Sequence, residues 1–195
     1  LLGNRIHGNG SMGIELADTP GVTLNDAGDA DTGANNLQNF PVLATARTNA
    51  SDQINLTGTL NSTANSFYRI EFFANASQDA SLHGEGQTYL GFANVATDAS
   101  GNASISTALT ANVALGSFIS ATATRSDAAY STFTDTSEFA ATIAAATMPP
   151  EDLVMIPGVA AGNVIGYYGF SDASALGRDD AVGALLGGGG GADLH

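Results

Sequence analysis

Between Asn25 and Asn36 the chain places Asp26, Asp29 and Asp31, together with Asn35, around Gly28 and Gly33. A Ca2+ ion takes about six to eight oxygens from carboxylates, amide carbonyls and backbone. Alternate Asp residues on a turn can aim several oxygens at one point, and the glycines let the backbone bend between them. Three carboxylates this close repel one another unless a cation or water intervenes. The spacing is not that of an EF-hand: counting from Asp29, the fifth position is Gly33 and the twelfth is Phe40, not Glu. Asp26, Asp29, Asp31 and Asn35 are therefore the candidate Ca2+ ligands. The competing reading is a solvated linker built from Asx turns, and the sequence leaves both open.

Other reactive residue types lack the context that catalysis needs. His83 lies near Ser81 and Glu85, but no G-x-S-x-G elbow exists, and a surface loop histidine is expected. Glu71, Glu85 and Glu138 would be the carboxylates for glycoside hydrolysis. Alternation points Glu71 outward on a strand, and the other two fall at loop or strand edges. Gly8-x-Gly10-x-x-Gly13 formally matches a dinucleotide fingerprint, yet Pro20-Gly21 follows without helical periodicity. Cysteine is absent, which removes disulfides, thiolate metal sites and thiol nucleophiles. Five Asn-x-Ser/Thr sequons, at Asn49, Asn55, Asn61, Asn75 and Asn102, are given no role in so Asn-rich a chain. The chain is read as non-enzymatic.

Charge narrows the partners. Five Arg and no Lys leave a net charge of -14 over 195 residues. Such a surface repels nucleic-acid phosphates and anionic lipid headgroups. No stretch approaches the roughly 20 apolar residues of a membrane helix. Without an initiator Met or a signal peptide at Leu1, the chain is expected to be a piece of something longer.

The elements that must hold these residues are strands. From Pro41 the sequence alternates. Ile54, Leu56, Gly58 and Leu60 share one face, and Tyr68, Ile70 and Phe72 share another. Strands are predicted at 42–48, 54–60, 67–74, 88–97, 103–109, 117–125 and 137–143. About seven short strands with one wet face each define an all-β chain, an immunoglobulin-like antiparallel β-sandwich over 41–146. Residues 22–40 are the acidic connector. Residues 147–195 form a Gly-rich tail with apolar clusters, expected to pack on the sandwich or to serve in assembly.

Several runs together resemble bacterial extracellular or surface proteins in which right-handed parallel β-helix repeats precede an immunoglobulin-like domain. Asn4-Arg-Ile6-His-Gly8-Asn9-Gly10 with Gly13-Ile14-Glu-Leu16 is similar to a terminal β-helix rung, which sets the first segment at 1–21. Asp29 to Leu43 resembles the connector DADTGxNNLQNFPVL, and Leu56 to Ser62 the strand V-x-G-T-L-N-S. Ile70–Asn75, Gly84–Gly91 and Thr136–Phe139 resemble the signatures VEFFAN, GEGQTFLG and TSEF. The likeness spans roughly residues 1–143. The loop 77–83 lacks a Cys often found in the family, and 148–195 has no counterpart. The resemblance implies a secreted or cell-surface structural or adhesive module, with no catalytic residues to transfer. Its partners would be neighbouring domains or other copies of itself. Two alternatives stand beside it. One is a subunit of an extracellular filament joined by strand addition. The other is a carbohydrate-binding accessory domain using Tyr89, Tyr130, Tyr167 or Tyr168.

Overall fold

Alternation becomes two sheets packed face to face. A computed structural model describes residues 2–17 and 20–149, and the expected tail beyond Pro149, with Tyr167 and Tyr168, lies outside them. The strands are β1 (Val42–Thr48), β2 (Gln53–Asn61), β3 (Phe67–Asn75), β4 (Thr88–Ala96), β5 (Asn102–Thr110), β6 (Phe118–Ser126), β7 (Phe133–Thr136), β8 (Ile143–Ala144) and β9 (Ala146–Thr147). The first sheet runs β5-β2-β1-β9 and the second β4-β3-β6-β7, with β8 also on β6. Among the described residues only β1 and β9 pair in parallel. The described residues form an all-β sandwich.

The long strands send one apolar face inward. Ile54, Leu56 and Leu60 of β2 and Ile105 of β5 meet Tyr68, Ile70 and Phe72 of β3 and Ile119 of β6 in one buried cluster. Ala121 and Ala123 complete the β6 contribution, directly across from Phe72 and Ile70 of β3, where their small size leaves room for the larger side chains.

The seventh predicted strand is corrected. Residues 137–142 form no strand, only a single bridge between His83 and Ala141. The Ser137 hydroxyl accepts the Ala123 amide (2.9 Å), and the Ala140 amide donates to Ala121 (2.8 Å). A side chain has taken a ladder position, so the segment leaves the pleat and its apolar and acidic side chains are re-aimed.

A third layer lies where alternation implied solvent. Residues 2–17 contain no strand, but Ile6 exchanges two backbone bonds with Gly86 (3.0 and 2.7 Å). Ile14 and Leu16 then pack with Phe73 of β3 and with Phe139. Phe73 is on the face of β3 opposite the inter-sheet core, so the N-terminal segment covers the outside of the second sheet.

Gly58 occupies an inward position of β2 where a Cβ would collide with the Val42 carbonyl and crowd the Leu43 backbone. The β1 register shifts at that point, between Leu43 and Thr45. Gly58→Ala is therefore expected to destabilise the fold by about 1–3 kcal/mol despite alanine's lower entropy cost. Urea denaturation checks this, and an unchanged midpoint would contradict the close approach.

Candidate functional site

The acidic connector is held by amide side chains acting as surrogate backbone. Asn25 and Phe40 exchange two bonds: the Asn25 amide donates to the Phe40 carbonyl (2.8 Å), and the Phe40 amide donates to Asn25 Oδ1 (2.9 Å). Asn39 does the same with the Asp26 backbone (2.7 and 3.1 Å) and also reaches the Asn61 carbonyl (2.9 Å). Gly28 donates to Asn61 Oδ1 (2.8 Å), pinning the bend to the end of β2. Downstream, Ala34–Leu37 forms a 3-10 turn in which Asn35, Asn36 and Leu37 have φ of 50°, 52° and 50°. Asparagine tolerates this left-handed region better than most residues.

These bonds bring the predicted carboxylates together. One oxygen each from Asp26, Asp29 and Asp31 lies within 4.8 Å of the others, and all three residues are half-buried. Asp29 is tied inward, accepting from the Asn39 amide (2.7 Å) and the Ser62 hydroxyl (2.7 Å). Ser62 Oγ lies 2.9 Å from the hydroxyl of fully buried Tyr68. A polar chain therefore runs from the core to the cluster. Asp26 accepts from the Ala30 amide (3.1 Å), whereas the enclosed Oδ1 of Asp31 has no hydrogen-bond partner. Asn35 is exposed in the 3-10 turn, where its carbonyl accepts from Gln38 (3.1 Å). Three Asp can offer a cation hard oxygen ligands.

Burial raises the Asp29 carboxyl above its ordinary range, against the Ser62 and Asn39 bonds, and Asp26 and Asp31 add to the rise. Burial followed by Asp26 likewise raises Asp31.

The three glutamates singled out in the sequence, Glu71, Glu85 and Glu138, share a role that sequence reasoning missed. Glu138 is 1% exposed and accepts from the Leu16 amide (2.9 Å), the Thr23 amide (2.9 Å) and the Thr23 hydroxyl (3.0 Å). Glu85 accepts from the amides of Gly8 (2.8 Å) and Asn9 (3.2 Å). Glu71 accepts twice from the Gly3 amide (2.9 and 3.1 Å). The Gly8-Asn9 turn is thus an anion-binding nest filled by the protein's own carboxylate. Glu71 does point away from the sandwich core, as alternation requires, but it is buried rather than wet. Its burial raises its pKa against the pull of the Gly3 amide and Arg69. The Arg69 guanidinium itself lies over the Phe92 and Phe133 rings, 4.1 and 4.4 Å from their centroids.

The remaining candidates stay apart. His83 Nδ1 lies 3.0 Å from the Phe139 carbonyl, and its ring packs edge-on against Phe40. Ser81 bonds to Asp79 and to the His83 carbonyl rather than to the imidazole. Tyr89 packs edge-on to Phe73, and the Tyr130 hydroxyl donates to the Val95 carbonyl (3.0 Å). Among the described residues no helix is long and apolar enough to cross a membrane. No protein-family model matches the chain, and no curated protein matches it.

Two outcomes are expected. Removing the Glu138 carboxylate by Glu138→Ala orphans the Leu16 and Thr23 amides, at a cost of roughly 1–3 kcal/mol for each buried group left unpaired. Limited proteolysis should then cut within residues 2–23 before the sandwich, and wild-type-like resistance would contradict the role. The second outcome concerns pH. A carboxyl whose folded pKa exceeds its unfolded value holds more protons when folded, so stability falls as pH rises between the two values. For Asp29 and Asp31 that window opens at the ordinary value of 3.8 and extends upward. The stability of the metal-free wild type relative to Asp31→Asn should therefore decline as pH rises through this window. Unfolding midpoints across the acidic range measure it, and a relative gain with pH would be the contrary result.

Proposed function

We propose that the chain is a non-catalytic structural module of a bacterial surface protein, acting outside the cell as a rigid joint. The carrying observation is that three sandwich carboxylates, Glu71, Glu85 and Glu138, accept backbone amides of the segment that precedes them. Contacts to backbone fix a path without depending on particular side chains. Each glutamate sits in one of the three signatures that resemble the surface-protein family, which ties the resemblance to a mechanical role. Residues 1–21 are read as the terminal β-helix-like rung, and their docking covers a sheet face that would otherwise expose Phe73 and Phe139.

An immunoglobulin-like topology is part of the proposal. Its support is the strand order: β2 pairs β5 in one sheet, and β3 pairs β6 in the other. Such interlocked pairs are what Greek-key sandwiches have. The connector would take Ca2+ through Asp26, Asp29 and Asp31, with Asn35 offered from the 3-10 turn that follows. The unpartnered Asp31 oxygen favours this over a plain linker.

Differential scanning calorimetry of the full chain, with Ca2+ or with a chelator, tests both parts. One cooperative transition is expected, moving up by roughly 5–10 °C at Ca2+ about a hundredfold above Kd. Asp31→Asn should abolish that shift. An unmoved wild-type transition would overturn the cation site, and separate transitions for the N-terminal segment and the sandwich would overturn the rigid joint.

A further inference from the structure

The free strand edges of this sandwich are not equally protected. β9 has two residues and is followed by Met148-Pro149. β7 has four, carries Asp135, and is covered in part by the 3-10 turn through a bond from Asn36 to Asp135 (2.9 Å). β4 is bulged, since Phe72 faces Gly91 while Phe73 faces Tyr89. Short length, charge, cover and bulges are the usual means of blocking edge-to-edge pairing. Among the described residues β5 has the least of them, with Asp98 covering only its first residue. Its nine residues, NASISTALT, contain no charge, Pro or Gly and pair with β2 one to one without a register shift. Among the described residues, the only other bonds to main-chain groups of β5 are at its start, where the Asp98 amide donates to the Asn102 carbonyl (2.9 Å) and the Asn102 amide donates to Asp98 Oδ1 (2.9 Å).

We propose that β5 is a homotypic interface, pairing antiparallel with β5 of a second copy about a two-fold axis. Self-complementarity selects this occupant. Centred on Ser106, the pairing opposes Ser104 to Ala108, Ile105 to Thr107 and Ala103 to Leu109, and stops short of Asn102, whose main-chain groups Asp98 already occupies. No charge meets a like charge, and no two large side chains oppose each other. Elsewhere two chains of net charge -14 repel, so an uncharged edge is where approach costs least. A two-fold contact closes on itself, which gives a dimer with one sheet continued across both copies and not an open filament. This goes beyond the joint proposed above and does not depend on it.

Light scattering on the full chain reads the outcome. The expected mass is twice 19.5 kDa, with association tightening as salt screens the net repulsion. Ser106→Lys places two like charges face to face at the axis and should weaken the dimer roughly tenfold or more. Because the chain lacks cysteine, Ser106→Cys provides a single thiol that should cross-link to its own copy on oxidation. Thr59→Cys, exposed on the adjacent strand, should not. A wild type that stays monomeric at low and high salt would overturn the proposal. So would a dimer indifferent to Ser106→Lys that Ser106→Cys does not trap.

Discussion

The third layer depends on one kind of interaction, a carboxylate of the sandwich accepting main-chain amides from the N-terminal segment. A segment without a strand ladder cannot satisfy its own N–H groups, and each one buried unpaired costs free energy. Glu138 resolves this at the deepest point, where Leu16 is itself buried against Phe73 and Phe139. An ionised acceptor bonds an amide roughly twice as strongly as a neutral one. That gain works against the cost of removing a carboxylate from water, which at Glu71 still prevails and raises its pKa. Apolar packing and charge-assisted bonding hold the same stretch together, so loss of either exposes the other.

The connector follows the same logic with the polarity of the partners reversed. Here amide side chains, chiefly Asn25 and Asn39, satisfy backbone groups, and Asp29 is anchored by Ser62 beside the Tyr68 hydroxyl. The spacing of the three Asp is therefore imposed from the core. Asp26, Asp29 and Asp31 are held closer than their mutual repulsion favours, and burial raises both Asp29 and Asp31.

The two-sheet frame was legible because each strand has one buried face and one polar face. The first six predicted strands fall within a residue of β1 to β6 at either end. The seventh failed because SEFAATI alternates well enough, yet Ser137 bonds the β6 backbone with its hydroxyl and breaks the pleat. Alternation also assigned Glu71 to solvent. It reports which face a residue takes, not whether a further layer covers that face. Glu85 and Glu138 looked like edge residues for the same reason, since their partners are backbone amides of 76 to 122 positions away and leave no pattern in composition. The Asp cluster was visible because its members are local in sequence, although the role of Asn39 in shaping it was not.

The most direct measurement is native-state hydrogen exchange at the amides of Gly3, Gly8, Leu16 and Thr23. Carboxylate clamping predicts that Leu16 and Thr23 exchange only through large-scale opening, with protection approaching that of Ile70 and Ala121 in the central strands. Gly3 and Gly8 should be protected to a lesser degree at their more open clamps. Exchange of Leu16 and Thr23 at unprotected rates, with the central strands still protected, would show that the segment is not held by Glu138 and would contradict the account.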